Sequence, residues 1–329
     1  MVGSFDFVFA RRALPRLTRP LLNAHPDSSS VLTLTDLATW SYRGTALAVL
    51  GHPIKHSISP AMHNAALAAL AATTPRFADW RYFRFEIHPD DLPRALELFR
   101  EKKFHGLNLT VPHKIIAFDR IATVDPAARL IRAVNTLMLT PTGWRGHNTD
   151  GYGLAAAIRE TLGLDLAGAH VILLGAGGAA RGAAVECLQR RCGSLWIANR
   201  TAANLTAMLS DLAPLAAGIP MRGFAPGTPP VDLPSGTLVI NATSAGLSPA
   251  DELPIDLTTL PNVAAVFDMI YNPPQTSLLA RATCGGLPCA NGLTMLVHQG
   301  AKALEIWTDA PAMTTAPIMA GAARTALAR

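Results

Sequence analysis

Residues 171–181 read Val-Ile-Leu-Leu-Gly-Ala-Gly-Gly-Ala-Ala-Arg: an apolar run, a glycine turn and the start of an alanine-rich segment. Few local patterns limit a fold so tightly. A short apolar run that stops at glycine predicts a buried strand over 171–174. The segment after it predicts a helix over 179–191. A buried strand feeding a helix is half of a parallel β-α-β unit. The glycines follow GxGxxA, a form of the dinucleotide fingerprint. Gly175 permits the tight turn. Gly177 removes a side chain that would block a pyrophosphate, and Ala180 lets the helix lie close to the sheet. The helix start offers unpaired N–H groups to phosphate.

The next strand, predicted over 195–198, ends in Asn199-Arg200-Thr201. A site for NAD(H) places a carboxylate here to hold the ribose 2′-hydroxyl. This chain has a guanidinium instead, which suits a 2′-phosphate through charge-assisted hydrogen bonds. NADP(H) is therefore the expected cofactor. A helix over 202–212 and strands over 237–241 and 263–268 continue the series. The interval 223–236 is a loop or a short edge element. Helices over 293–307 and 314–327 close the chain without intervening strands.

A second series precedes the motif. Thr35 is expected to cap a short helix through Trp40. Strands follow over 45–50, 80–87 and 106–111, with helices over 60–71, 91–101 and 125–132. A hairpin spans 136–139 and 143–148, and a helix over 154–162 connects the halves. Strands alternating with helices give an α/β class with a largely parallel sheet. A length of 329 residues fits two domains.

Composition removes several function classes. Half the residues are hydrophobic and 16% are charged, which excludes a disordered chain. Mean hydropathy is +0.25, yet no run approaches the ~18 apolar residues of a membrane span. The net charge of +5 is partly due to Arg11, Arg12, Arg16 and Arg19 in the first thirty residues. No basic cluster follows, so a small anionic substrate is expected rather than nucleic acid. The pairs Cys187/Cys192 and Cys284/Cys289 are too widely spaced for CxxC, and the histidines form no ligand motif. Reduced cysteines, a cytoplasmic location and no metal are expected. Residues 1–40 lack periodicity and read as a flexible extension.

Polar residues crowd the strand ends of the first half, where α/β sheets place ligands. The groups are GHPIKHSISPAMHN (51–64), NLTVPHK (108–114), AVNT (133–136) and HNTDGYG (147–153). Ser57, Ser59, Thr110 and Asn135 offer hydroxyls and amides to a polyol or a carboxylate. With LGAGGAAR, ANRT, NATSAGL, DMIYNPPQTSLL and NGLTMLVHQGAKALEIW, these blocks resemble the shikimate dehydrogenase family in its own order. The resemblance runs from about residue 46 to 310.

That resemblance implies reversible NADPH-linked reduction of 3-dehydroshikimate to shikimate, on the route to chorismate and the aromatic amino acids. It implies an α/β substrate-binding domain over 41–153 and a Rossmann-type NADP-binding domain over 154–292. Helices in 293–329 would return to the substrate domain. Ser57 and Ser59 would hold the substrate carboxylate. Thr110, Lys114, Asn135, Asp150 and Gln299 would hold the ring hydroxyls and the reacting oxygen, and Tyr271 would close the pocket. Gly175, Ala176, Gly177, Gly178 and Ala179 would bind the pyrophosphate. Asn199, Arg200 and Thr201 would bind the adenosine phosphate, and Met269 and Gly292 would flank the nicotinamide. A homodimer is also implied.

Lys114 and Asp150 form the expected catalytic pair. Hydride delivery to a ketone puts charge on oxygen, which a cationic donor neutralises. Orientation and charge stabilisation come first for this pair, and proton transfer second. Hinges are expected at 151–153 and near Asn291 and Gly292. Family members that prefer NADP often carry a second basic residue where this chain has Asn204, so preference here rests on Arg200 and Thr201. An NAD-dependent quinate/shikimate dehydrogenase is the nearest alternative. A non-catalytic NADP-binding regulatory module is the alternative of another class, but it has no need of Lys114, Asp150 and Gln299 together.

Overall fold

The computed structural model describes residues 30–248 and 250–328. Most of the expected extension, residues 1–29, lies outside the described residues. Its remainder is not an extension. Leu32 bridges to Phe85, and Thr33 caps the short helix α1 (Leu34–Ala38) in a reciprocal capping box with Asp36. The cap is Thr33 rather than Thr35, because only Thr33 has an acid three residues on. Leu37 and Trp40 are buried, and the Trp40 ring stands edge-on to Phe83 at 4.8 Å. Residues 32–40 thus pack into the first core.

The first half contains β1 (Ala46–Gly51), α2 (Ser59–Thr73), β2 (Arg81–Glu86), α3 (Leu92–Glu101), β3 (Gly106–Leu109), α4 (His113–Phe118), β4 (Thr123–Val124), α5 (Pro126–Ile131), β5 (Thr136–Thr140) and β6 (Gly143–His147). Its six-stranded sheet runs β2-β1-β3-β5-β6-β4. β1 lies parallel to β2 and β3, whereas β3, β5 and β6 are successively antiparallel. The sheet is therefore mixed, because the tight turn between β5 and β6 can only join antiparallel strands.

The second half contains α6 (Asp150–Leu162), β7 (His170–Leu174), α7 (Gly178–Gln189), β8 (Ser194–Ala198), α8 (Ala202–Ala216), β9 (Met221–Phe224), β10 (Thr237–Asn241), β11 (Val263–Asp268), α9 (Ser277–Cys284) and β12 (Cys289–Ala290). Its six strands run β12-β11-β10-β7-β8-β9, all parallel. Apolar cores cover both faces of this sheet, as parallel sheets require.

Helices α10 (Leu293–Thr308) and α11 (Ala312–Leu327) return to the first sheet. Leu304, Trp307 and Met319 share a core with Leu47, Val49 and Tyr82. Trp307 Nε1 donates to the carbonyl of Leu137 at 3.0 Å. Helix α6 starts at Asp150, so the expected hinge glycines lie inside it. A Cβ at Gly153 would stand 2.8 Å from the carbonyl of Met295, and one at Gly151 would stand 2.3 Å from Glu186 Oε2. These glycines let α6 press against α10 and α7. Among the described residues no helix is long and apolar enough to cross a membrane.

Candidate active site

A cleft of about 460 Å³ opens at the C-terminal ends of β1 and β3. Ser57, Ser59, Asn108, Thr110 and Lys114 of the first half line its walls, with Asp150 at the start of α6 and Met269, Tyr271, Gly292 and Gln299 further along the chain. Ligand sites in α/β folds lie at this end of the strands because the loops there converge.

Local chemistry fixes each wall. The turn carrying Ser57 is tied to β2 by side chains of that strand. Arg84 donates to the carbonyl of Ser57 at 3.1 Å, and Glu86 Oε2 accepts from the N–H of Ile54 at 2.9 Å. Ser59 opens α2, with Pro60 in the first turn, where its missing N–H costs nothing. Lys114 stands in the first turn of α4. Its Nζ donates to Asp150 Oδ2 at 2.7 Å, and both side chains are largely shielded, at 30% and 21% exposed. Asp150 is the first residue of α6, where the helix dipole favours a carboxylate.

Asn135 stands behind the pair rather than in the cleft wall, and is 1% exposed. Its Nδ2 donates to Asp150 Oδ1 at 2.8 Å and to Thr149 Oγ1 at 3.0 Å. Thr149 donates in turn to the carbonyl of Gln299 at 3.0 Å, which joins the start of α6 to α10. Asn135, expected at the substrate, holds Asp150 in this structure.

A second cavity of about 630 Å³ opens above β7 and β8. Gly175, Ala176, Gly177, Asn199 and Arg200 line it. Gly175 has φ +111°, a region that favours glycine, and space beside Gly177 is open. No side chain caps α7, so its first N–H groups face this cavity's end of the strand unclaimed. Gly178 and Ala179 begin α7 and do not line the cavity. Thr201 stands before α8 without a side-chain cap bond, and its carbonyl accepts from Asn199 Nδ2 at 2.9 Å, so it shapes the turn without lining the cavity. Met269 and Gly292 line the first cleft. The two are in close contact: a Cβ at Gly292 would lie 2.1 Å from the Met269 carbonyl.

A family model for the shikimate dehydrogenase substrate binding domain matches residues 49–137, and one for the shikimate 5′-dehydrogenase C-terminal domain matches residues 292–315. A shikimate dehydrogenase (NADP(+)) of Geobacter metallireducens is 36% identical over 269 residues, covering 80% of this chain and 90% of the relative. The chain belongs to the shikimate dehydrogenase family. Among solved structures, shikimate 5-dehydrogenase of Thermus thermophilus, in complex with NADP(H) and shikimate, is similar with a TM-score of 0.74 at 33% identity. That match covers 86% of this chain and 99% of the other. The 5-ketofructose reductase of a Gluconobacter strain is similar with a TM-score of 0.75 at 30% identity, covering 87% and 99%.

Further residues line the two cavities of this shikimate dehydrogenase family member. Asn108 lines the cleft, and its Nδ2 donates to Thr136 Oγ1 at 3.0 Å. Its place at the end of a buried strand beside Thr110 was the available signal. Thr243, Ser244 and residues 250–254 line the second cavity. Asp251 folds that loop by accepting from the N–H groups of Gly246 and Ser248, which hold its carboxyl below the usual range. Asp268 ends β11 and is fully buried. Burial raises its pKa, while Thr276 Oγ1 at 2.6 Å, the N–H of Ile270 at 3.0 Å and Asn241 Nδ2 at 3.0 Å favour the carboxylate. Asp268 thereby anchors the segment that carries Met269 and Tyr271.

Proposed function

We propose that this protein catalyses the reversible reduction of 3-dehydroshikimate to shikimate with NADP(H), in the route to chorismate and the aromatic amino acids. The observation that carries this reading is the Lys114–Asp150 contact of 2.7 Å in a cleft that also holds Ser57, Ser59 and Gln299. The donor set of the second cavity fits a dinucleotide. Its turn is glycine, its helix start is uncapped and Arg200 stands at its side. When bound, NADP(H) supplies or accepts the hydride.

The chain's own residues do the rest. Ser57 and Ser59 hold the substrate carboxylate at the start of α2. Thr110 and Gln299 hold ring hydroxyls, and Tyr271 closes the pocket. Lys114 meets the charge that grows on the ketone oxygen and delivers its proton. Asp150 keeps the ammonium in place and accepts from a ring hydroxyl. Asn135 keeps Asp150 in place. Family resemblance supports a homodimer and a cytoplasmic location within the same reading.

A matrix of initial rates tests the assignment. Shikimate, quinate and 5-ketofructose are each assayed with NADP(H) and with NAD(H), in the direction each substrate allows. The expected outcome is the highest kcat/KM for shikimate with NADP+. Faster turnover of quinate with NAD+ would favour the quinate/shikimate type. No turnover of shikimate with either nucleotide would refute the proposal.

A further inference from the structure

We propose that Tyr82, on β2 and outside the cleft, is a positioning residue for the reaction assigned to Lys114 and Asp150; it rests on that assignment. Tyr82 is fully buried. Its hydroxyl donates to Asn108 Oδ1 at 2.7 Å. Burial raises the phenol's pKa well above its ordinary value, so the donor is present throughout the working pH range.

The direction of the bonds beyond Tyr82 is set by proton counting. With Oδ1 occupied, Asn108 turns its Nδ2 to Thr136 Oγ1 at 3.0 Å. Thr136 has one hydroxyl proton, and having accepted from Asn108 it donates to Asn135 Oδ1 at 2.9 Å. Asn135 Oδ1 also accepts from the N–H of Thr149 at 2.9 Å. Its Nδ2 is thereby turned to Asp150 Oδ1 at 2.8 Å, while Lys114 takes Oδ2 at 2.7 Å. Along this series each donor points toward Asp150, while Asn108 Nδ2 and Asn135 Nδ2 also give branch bonds to the Asn135 carbonyl at 3.2 Å and to Thr149 Oγ1 at 3.0 Å. In a buried site such a chain polarises from end to end. Removing the first hydroxyl leaves Asn108 Oδ1 without its donor, although Nδ2 keeps Thr136 Oγ1 and the Asn135 carbonyl at 3.2 Å.

Tyr82 is itself held by the opposite wall. The His63 ring stacks on it with centroids 4.1 Å apart and planes 13° apart. His63 Nδ1 lies 3.0 Å from the carbonyl of Ser59. One side chain therefore joins the start of α2 to the Lys114–Asp150 pair.

The test uses the full chain, with shikimate and NADP+, and compares Tyr82→Phe, Thr136→Val, Thr136→Ser and the double variant Tyr82→Phe/Thr136→Val. Tyr82→Phe keeps the ring stack and should lower kcat about 3- to 10-fold, with KM for NADP+ unchanged. The double variant should be no slower than the slower single variant, because both break one chain of bonds. Thr136→Ser keeps the hydroxyl and should retain wild-type kcat. Wild-type kcat in Tyr82→Phe, or losses that multiply in the double variant, would overturn the proposal. If Tyr82→Phe does not fold, equal kcat in Thr136→Val and Thr136→Ser overturns it. Failure of the wild-type chain to oxidise shikimate would count against the assigned reaction instead. The side-chain amide resonances of Asn135 then decide: they should move on Tyr82→Phe, and unmoved resonances would reject the link.

Discussion

Lys114 and Asp150 are 36 residues apart in sequence and 2.7 Å apart in space. If Lys114 meets charge only as it develops, its loss should act on turnover rather than on binding. Lys114→Ala is expected to lower kcat by about 10²- to 10⁴-fold with KM for shikimate little changed. Steady-state kinetics checks this, and near wild-type turnover would remove Lys114 from the mechanism. His63 gives a second test at this scale. Burial pushes its imidazole from 6.5 down to about 4. In the unfolded chain the same ring takes up a proton below about pH 6.5. The neutral ring's contribution to stability is therefore complete above that pH. It is lost as pH falls toward 4, by about 3 kcal/mol. His63→Phe cannot titrate, so the difference in unfolding free energy between wild type and variant should change by about 2 kcal/mol between pH 7 and 4.5. Urea unfolding at both pH values measures it, and a pH-independent difference would contradict the shift. The sequence shows these residue types and their local blocks, but it does not show that Asn135 supports Asp150 from behind, because that depends on the register between β5 and β6.

Elements carry the site into place through close packing. Helices α6 and α10 meet at Gly153, where an added Cβ would also stand 2.9 Å from Gln299 Cβ. Gly153→Ala should destabilise the fold by about 1–3 kcal/mol and raise KM for shikimate as Gln299 is displaced. Unfolding and kinetic measurements on one preparation test both effects; an unchanged KM would separate Gln299 from this helix crossing. The longer elements were legible because their patterns span several turns or several strand residues. Helix α4 was not. It has six residues and no side-chain cap, too short for a period of 3.6 to register, and yet it carries Lys114. The two-residue strands β4 and β12 escaped because two residues carry no period. Helix α6 was read four residues short because Gly151 and Gly153 have poor helix propensity, which packing against α7 and α10 overrides.

The whole molecule places two cavities at the C-terminal ends of two sheets, with α4 close to the glycine turn. A Cβ at Gly178 would lie 3.5 Å from Ile115 Cδ1, so the substrate side and the nucleotide side already touch. A ligand that binds only the folded state stabilises it by about 2.7 kcal/mol at a hundredfold excess over its Kd. NADP+ should therefore raise Tm more than NAD+ at equal concentration, and Arg200→Ala should bring the two shifts together. Thermal unfolding reads both, and equal shifts in the wild-type chain would take away the 2′-phosphate role of Arg200.

By itself the sequence determined what depends on neighbours along the chain. A buried strand must end where Gly175 turns with φ +111°, and a helix must begin where small residues follow. Alternating elements of this kind dictate an α/β class. Tertiary structure decided what depends on distant segments meeting. It drew residues 32–40 into the first core and put α10 beside α6. It also aligned Tyr82, Asn108, Thr136 and Asn135 behind Asp150. Backbone preference acts over a few residues, whereas hydrogen-bond partners in a core are set by which strands become neighbours and in what register.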